Sequence, residues 1–261
     1  MSKSAIYVGH RGCKIGYGVE NTKRAFGEAA IYGFQAIETD IRVTRDGIFI
    51  ASHDPTLARL TTYNGDPLEI DVQKTNFDEF KDICLCEMFN GRLREGDTIA
   101  TFDDYLSVCR KFKVLSIIEL KWTKGIYSNN DDPNDYDYSK LDDLVKKVRE
   151  YELDKTTYII SSMKGCLQHV RDNNPDMKLQ WLCSTNYKEG LDWCVKNNIN
   201  IDIEYHSCTK ELVDFCHKNN LIINIWTLDD SNELKKFLDM GVDMITSNLI
   251  SNDQYRNGIY R

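Results

Sequence analysis

The chain has 261 residues, 41% of them hydrophobic, enough for a sizeable core in one large domain or two small ones. Its 41 acidic and 33 basic residues give a net charge of −8, which argues against nucleic acid or an anionic membrane as a general partner but leaves room for a local basic site that takes a phosphate. Nine cysteines without repeated pairs, no apolar leader in MSKSAIYVGH and no run of about 18 apolar residues are the pattern expected of a cytoplasmic chain with reduced thiols and no membrane span.

In chain order, residues 6–9 form a short apolar strand that ends in His10-Arg11-Gly12. A loop with Gly16 and Gly18 follows, and then a helix over KRAFGEAAIYG, with Asn21 or Thr22 as its N-cap and Gly33 as its stop. The stretch AIETDIRVTRDGIFIASHD, 36–54, reads as a buried strand, a tight turn at Arg45-Asp46-Gly47, a second short strand over 48–52, and His53-Asp54 at its end. From 54 to about 99 the alternation breaks into short polar pieces, which predicts a small subdomain inserted at a strand's C-terminal end. The rhythm then resumes. Helices are expected over 102–112, 139–152, 165–173, 189–197, 210–219 and 232–240, and strands over 114–120, 158–161, 179–183, 199–204, 222–226 and 243–246.

With 48–52 counted into the second unit's hairpin, eight strands alternate with seven helices. That number favours a single TIM-type (β/α)8 barrel spanning 1–261 over an open doubly wound sheet. Residues 248–261 are too short and polar to supply a good eighth helix. The aspartate-rich run over 129–143 lacks the glycine and terminal glutamate of an EF-hand loop and reads as solvated. Cys84 and Cys86 have no second pair at zinc spacing.

Catalytic groups of such a barrel come from strand C-terminal ends, and the chemically informative residues all fall there. Side chains alternate along a strand, so Glu38 and Asp40 share a face, and repel unless a cation or proton sits between them. Glu119 and Lys121 share a face of the third barrel strand by the same rule. Three carboxylates from adjacent strands make an oxygen-rich site for one hard divalent cation, Mg2+ or Ca2+. Arg11 and Lys121 beside them suit a phosphate, and His10 and His53 titrate near neutral pH as an acid/base pair. Singly, each group has a plainer explanation: a core histidine for His10, a strand-face ion pair for Glu119 and Lys121. Their convergence on one rim favours a site.

GHRG at 9–12, ENT at 20–22, the run over 36–54 and IELK at 118–121 together resemble the glycerophosphodiester phosphodiesterase family. The resemblance covers nearly the whole chain. It implies a TIM-type barrel and hydrolysis of a small-molecule glycerophosphodiester to sn-glycerol 3-phosphate and an alcohol. It makes Glu38, Asp40 and Glu119 metal ligands, His10 and His53 the acid/base pair, and Arg11 and Lys121 the phosphate holders. It leaves open water or the substrate's own glycerol 2-hydroxyl as nucleophile, and which histidine is acid. Val19 and Ala100 stand where the family often has proline, and Thr246-Ser247-Asn248 replaces its more usual Thr-Asp.

Two alternatives stay beside this one: a lysophospholipase D or sphingomyelinase-D-like enzyme acting on lipid, and a non-catalytic binding barrel. For the leaving alcohol, Trp226 with Trp122, Tyr205 and His206 is expected near the rim, and Trp181 lies within the fifth barrel strand. Such aromatic faces would favour a choline head group.

Overall fold

A computed structural model describes residues 5–121 and 138–252. Trp122, residues 129–137 of the acidic run and the tail from 253 lie outside the described residues. The chain runs β1 (Ile6–Gly9), α1 (Lys23–Ile31), β2 (Ala36–Val43), β3 (Phe49–Ala51), β4 (Leu85–Phe89), β5 (Arg92–Asp97), α2 (Phe102–Phe112), β6 (Leu115–Leu120), α3 (Ser139–Glu150) and β7 (Thr157–Ser161). It continues through α4 (Lys164–Asn173), β8 (Lys178–Cys183), α5 (Leu191–Asn197), β9 (Asn200–Glu204), α6 (Lys210–Lys218), β10 (Ile223–Trp226), α7 (Ser231–Met240) and β11 (Met244–Ser247). Eight of these strands pair in parallel in the order β1-β2-β6-β7-β8-β9-β10-β11, and β11 pairs back onto β1. The sheet is therefore a closed (β/α)8 barrel, with β3 added antiparallel on β2.

Alternation along each strand splits the apolar residues between two cores. Val8, Ala36, Ile117, Tyr158, Ile160 and Met244 fill the lumen. The intervening residues, among them Ile37, Ile41, Ile118, Ile159, Ile201 and Ile225, pack outward against the helices. Helix ends follow the local sequence. Thr22, not Asn21, caps α1 by accepting from Ala25 N, and Gly33 takes φ 85° just beyond the helix. Thr101 and Asp104 cap α2 reciprocally, and Lys113 closes it in the left-handed region.

Between β3 and α2, residues 54–99 hold three short 3-10 turns and a small core of their own, in which Leu57, Leu60, Val72, Phe80 and Leu85 pack on Val19, Ile50 and Ile99. The sequence pattern predicts only irregular polar pieces here, whereas β4 and β5 form an antiparallel hairpin. Its turn is Asn90-Gly91, both at positive φ, the sequence signature of a two-residue hairpin turn. Val19, at a position where proline is common in the resembled family, donates its N–H to Asp97 Oδ2 at 3.0 Å, a bond that proline could not make.

One side chain ties the two site-bearing strands together. Tyr105, on α2, is fully buried; its hydroxyl donates to Ile37 O (2.7 Å) and accepts from Ile117 N (2.9 Å) and Ser116 Oγ (2.9 Å). Tyr105→Phe removes the hydroxyl's buried hydrogen bonds to both β2 and β6. The expected loss is about 1–3 kcal/mol in urea-unfolding free energy; an unchanged unfolding midpoint would show that the hydroxyl does not hold this seam.

Candidate active site

The turn after β1 is built for close approach. Gly12 has φ 92°, and a Cβ there would sit 2.7 Å from Ala25 Cβ on α1. Arg11 itself takes φ 51°, which aims its N–H at Glu38 Oε2, 2.8 Å away. The side chain of Arg11 then reaches Glu20 Oε1 (3.0 Å) and Asp40 Oδ2 (3.2 Å). Asn21, also left-handed at φ 56°, donates Nδ2 to Asp40 Oδ2 at 2.7 Å and accepts from Thr39 Oγ1 at 2.9 Å. That explains why Asn21 is not the helix cap: its amide is spent on orienting an acid.

Asp40 lies directly opposite Glu119 in the β2–β6 register, with Glu38 one inward position earlier. One oxygen from each of the three lies within 4.8 Å of the others. Lys121 Nζ is 2.6 Å from Glu119 Oε1 and 3.2 Å from Asp40 Oδ1, the second contact an ion pair without hydrogen-bond alignment. Burial, then repulsion from Asp40 and Glu119, pushes Glu38 well above the usual carboxylate range. Burial, then Asp40, pushes Glu119 up to about 7. Asp40 is equally buried, yet Arg11 and Lys121 hold it at about 2. Among the described residues, Glu38 Oε1 and Asp40 Oδ1 are buried without a hydrogen-bond partner. Convergent buried carboxylates, with one oxygen of Glu38 unpartnered and one of Asp40 held only by the Lys121 ion pair, fit a hard divalent cation.

The two histidines reach the same cavity, of about 200 Å3, as Glu38, Glu119, Arg11 and Lys121. His10 Nδ1 lies 3.0 Å from Asn248 Oδ1, and burial together with Arg11 lowers its pKa to about 4. His53 Nδ1 pairs with Asp54 Oδ1 at 2.7 Å; burial lowers its pKa too, against the pull of Asp40. The carbonyl of His53 is held by Arg42, from Nε at 3.1 Å and Nη2 at 2.6 Å, and Arg42 Nη1 also bonds Lys121 O at 3.3 Å. Arg42 is thus a buried clamp on the backbone of two site residues. Its trace in the sequence is a basic residue at the same even parity as Glu38 and Asp40 along the strand.

Of the acid/base, phosphate-binding and metal-binding candidates, all line this cavity except Asp40, which is buried against Arg11, Asn21 and Lys121. Trp226 is on the wall, its Nε1 bonded to Asp202 O at 3.2 Å. Of the other aromatic residues expected near the rim, Trp122 lies outside the described residues, and Trp181, Tyr205 and His206 do not line the cavity. Trp181 alternates outward, between inward Gln180 and Leu182, and packs edge-on against Trp193 at 6.4 Å. Tyr205 and His206 enter a 3-10 turn that carries Tyr205 onto Phe237, while His206 pairs with Glu204 in solvent. Among the described residues, Trp226 is the one tryptophan on the cavity wall.

The sequence pattern also hides a polar layer on the far wall. Asp202 on β9 lines the cavity at 1% exposure, hydrogen-bonded to Asn224 on β10, with Oδ1 lacking a partner among the described residues. Gln180 on β8 and Asn224 are likewise fully buried. The available signal is a lone polar residue at the inward position of an apolar strand: Leu179-Gln180-Trp181, Ile201-Asp202-Ile203, Ile223-Asn224-Ile225.

Comparison with known proteins gives a concordant picture. Residues 10–251 match the Glycerophosphoryl diester phosphodiesterase family. A glycerophosphodiester phosphodiesterase of Caldanaerobacter subterraneus subsp. tengcongensis is 25% identical over 241 residues, 92% of each chain. Among solved structures, a putative glycerophosphoryl diester phosphodiesterase from Silicibacter pomeroyi superposes with TM-score 0.79 at 20% identity, over 94% of this chain and 90% of that one. An Oleispira antarctica phosphodiesterase in complex with the product sn-glycerol-3-phosphate does so with TM-score 0.75 at 19% identity, over 93% and 92%. At these identities the solved structures show a shared fold.

Burial, reinforced by Glu119, pushes the Asp202 carboxyl up to about 8. Between its unfolded value of about 4 and that point the folded chain holds a proton that the unfolded chain releases, so this group's contribution to stability falls as pH rises. Asp202→Asn removes the penalty. Its Tm, relative to the parent, should therefore climb from pH 5 to pH 8 in a thermal-melt series; a difference independent of pH would contradict the assignment.

Proposed function

The chain belongs to the Glycerophosphoryl diester phosphodiesterase family, and from that premise we propose that it hydrolyses glycerophosphodiesters to sn-glycerol 3-phosphate and an alcohol, with one divalent cation, Mg2+ or Ca2+, as cofactor. The observation that carries the reading is the convergence on one small cavity of an acidic cluster, two basic side chains and two histidines. A cation held by Glu38, Asp40 and Glu119 supplies Lewis-acid polarisation of a phosphoryl oxygen when bound.

The chain's own groups account for the rest. The Arg11 guanidinium and the Lys121 ammonium sit on the cavity wall and offset charge that develops on the phosphoryl oxygens. Both are ion-paired to the acidic cluster, which keeps them ordered before substrate arrives. The two histidines divide the proton work: one takes the proton of the attacking hydroxyl, the other gives one to the departing alkoxide. The attacking hydroxyl is either water or the substrate's glycerol 2-hydroxyl, the latter through a cyclic phosphate that water then opens. The apolar part of the wall, Ile160 and Leu182, limits water around the reacting phosphate.

Coupled detection of glycerol 3-phosphate from glycerophosphodiesters tests the proposal. Chelation should abolish turnover by the purified protein, and Mg2+ or Ca2+ should restore it; no release under any divalent cation would leave a binding barrel instead. In the same assay His10→Ala and His53→Ala should each lower kcat by ~10²–10⁴ with the fold intact. Near-parent kcat in either variant would remove that histidine from the mechanism.

A further inference from the structure

The two histidines are backed by different chemistry. His53 Nδ1 faces a carboxylate, Asp54, which Arg59 Nε holds in place at 2.6 Å. His10 Nδ1 faces an amide oxygen, Asn248 Oδ1, at 3.0 Å. The orientation of that amide is not free. Asn248 Nδ2 donates to Asp229 Oδ2 and Asn248 N to Asp229 Oδ1, both at 2.7 Å, and Ser247 Oγ donates to Asp229 Oδ1 at 2.9 Å. With its NH2 committed to a carboxylate, Asn248 offers the ring only a carbonyl-type oxygen, which accepts and cannot donate. The hydrogen must then sit on Nδ1 of His10, leaving Nε2 with the lone pair. The backbone locks the pair in register through His10 N to Ser247 O (3.0 Å) and Lys14 N to Asn248 O (2.7 Å).

We propose that Asn248, clamped by Asp229, is a positioning residue that holds His10 as the neutral Nδ1–H tautomer, and so makes His10 the proton acceptor and His53 the proton donor of the cleavage step. The assignment rests on the phosphodiesterase reading above. In the step, His10 Nε2 takes the proton of the attacking hydroxyl as its oxygen bonds to phosphorus. The bond from phosphorus to the leaving oxygen breaks, and His53 Nε2–H passes its proton to that oxygen. A neutral amide behind His10 gives no help to an imidazolium, which suits a group that must begin the step unprotonated. The Asp54 carboxylate behind His53 does the reverse and stabilises the protonated ring. The charged groups facing His10 are Arg11 from the turn after β1, Asp40 from β2 and Glu20 from the loop before α1. Those facing His53 are Asp40, Arg11, Lys121 and Asp54.

The discriminating variant exchanges the two partners. Asn248→Asp with Asp229→Asn keeps one carboxylate and one amide at the same pair of positions but turns the carboxylate toward His10. The expected result is an acidic limb of the kcat/KM profile moved up by about one pH unit, the basic limb in place and the Tm near the parent's. Asp54→Asn should instead move the basic limb down. In the parent, 15N chemical shifts of His10 should show a protonated Nδ1 and an unprotonated Nε2, and Asn248→Leu should blur that into a mixture while lowering kcat more than it changes KM. An Nε2–H tautomer in the parent, or an exchange that moves the basic limb, would overturn the proposal. Because the NMR arm reads the tautomer without substrate, failure of the phosphodiesterase reading itself would appear as an inactive parent with the Nδ1–H signal intact.

Discussion

Glu38, Asp40 and Glu119 are held within 4.8 Å of one another at the mouth of a closed barrel, where little water can screen them. At that spacing like charges raise one another's pKa by several units unless something of opposite sign intervenes. Much of the local structure is an answer to that repulsion. Arg11 adopts a left-handed backbone so that its N–H meets Glu38 while its guanidinium meets Asp40; Asn21 does the same to bring an amide to Asp40; Lys121 lies between Asp40 and Glu119. Two cations serve three carboxylates, and among the described residues Glu38 Oε1 is left buried without a hydrogen-bond partner.

The compensation spreads outward as a continuous chain. Arg11 pairs with Glu20, Glu20 with Arg59 and the buried Lys14, Arg59 with Asp54, and Asp54 with His53. Lys14 also pairs with Glu87 on β4, so the hairpin of the 54–99 segment is tied into the same network. The segment that departs from the barrel repeat thus supplies the charges that hold His53 in place. Buried networks of this kind are costly when half satisfied, because each orphaned partner keeps its desolvation penalty, and this makes every link sensitive to loss of its neighbour.

The alternation of strands and helices was legible in the sequence because both periods recur with little interruption, and the seven expected helices and eight barrel strands lie within a few residues of those observed. The acidic cluster was legible for the same reason: parity along 36–43 and 114–121 fixes which side chains share a face. What escaped was whatever depends on three-dimensional partners. The inward aspect of Asp202, Gln180 and Asn224 needs the barrel's handedness as well as its period. The role of Arg42 needs the location of a carbonyl eleven positions on, at His53. Aromatic residues at strand ends were misleading because one residue of parity or one 3-10 turn carries Trp181 and Tyr205 into the outer core. Val19 shows the converse, a departure from the family pattern that the structure explains by a hydrogen bond proline could not donate.

The central claim is that the acidic cluster is a cation site, and calorimetric titration of the chelator-treated protein with Mg2+ and with Ca2+ tests it most directly. The account predicts saturable binding of about one cation per chain for at least one of the two metals. It also predicts that Glu38→Gln, which removes a charged oxygen ligand, weakens that binding sharply while the far-ultraviolet circular dichroism stays that of the parent. Failure of the parent to bind either cation, or equal binding by the variant, would contradict it.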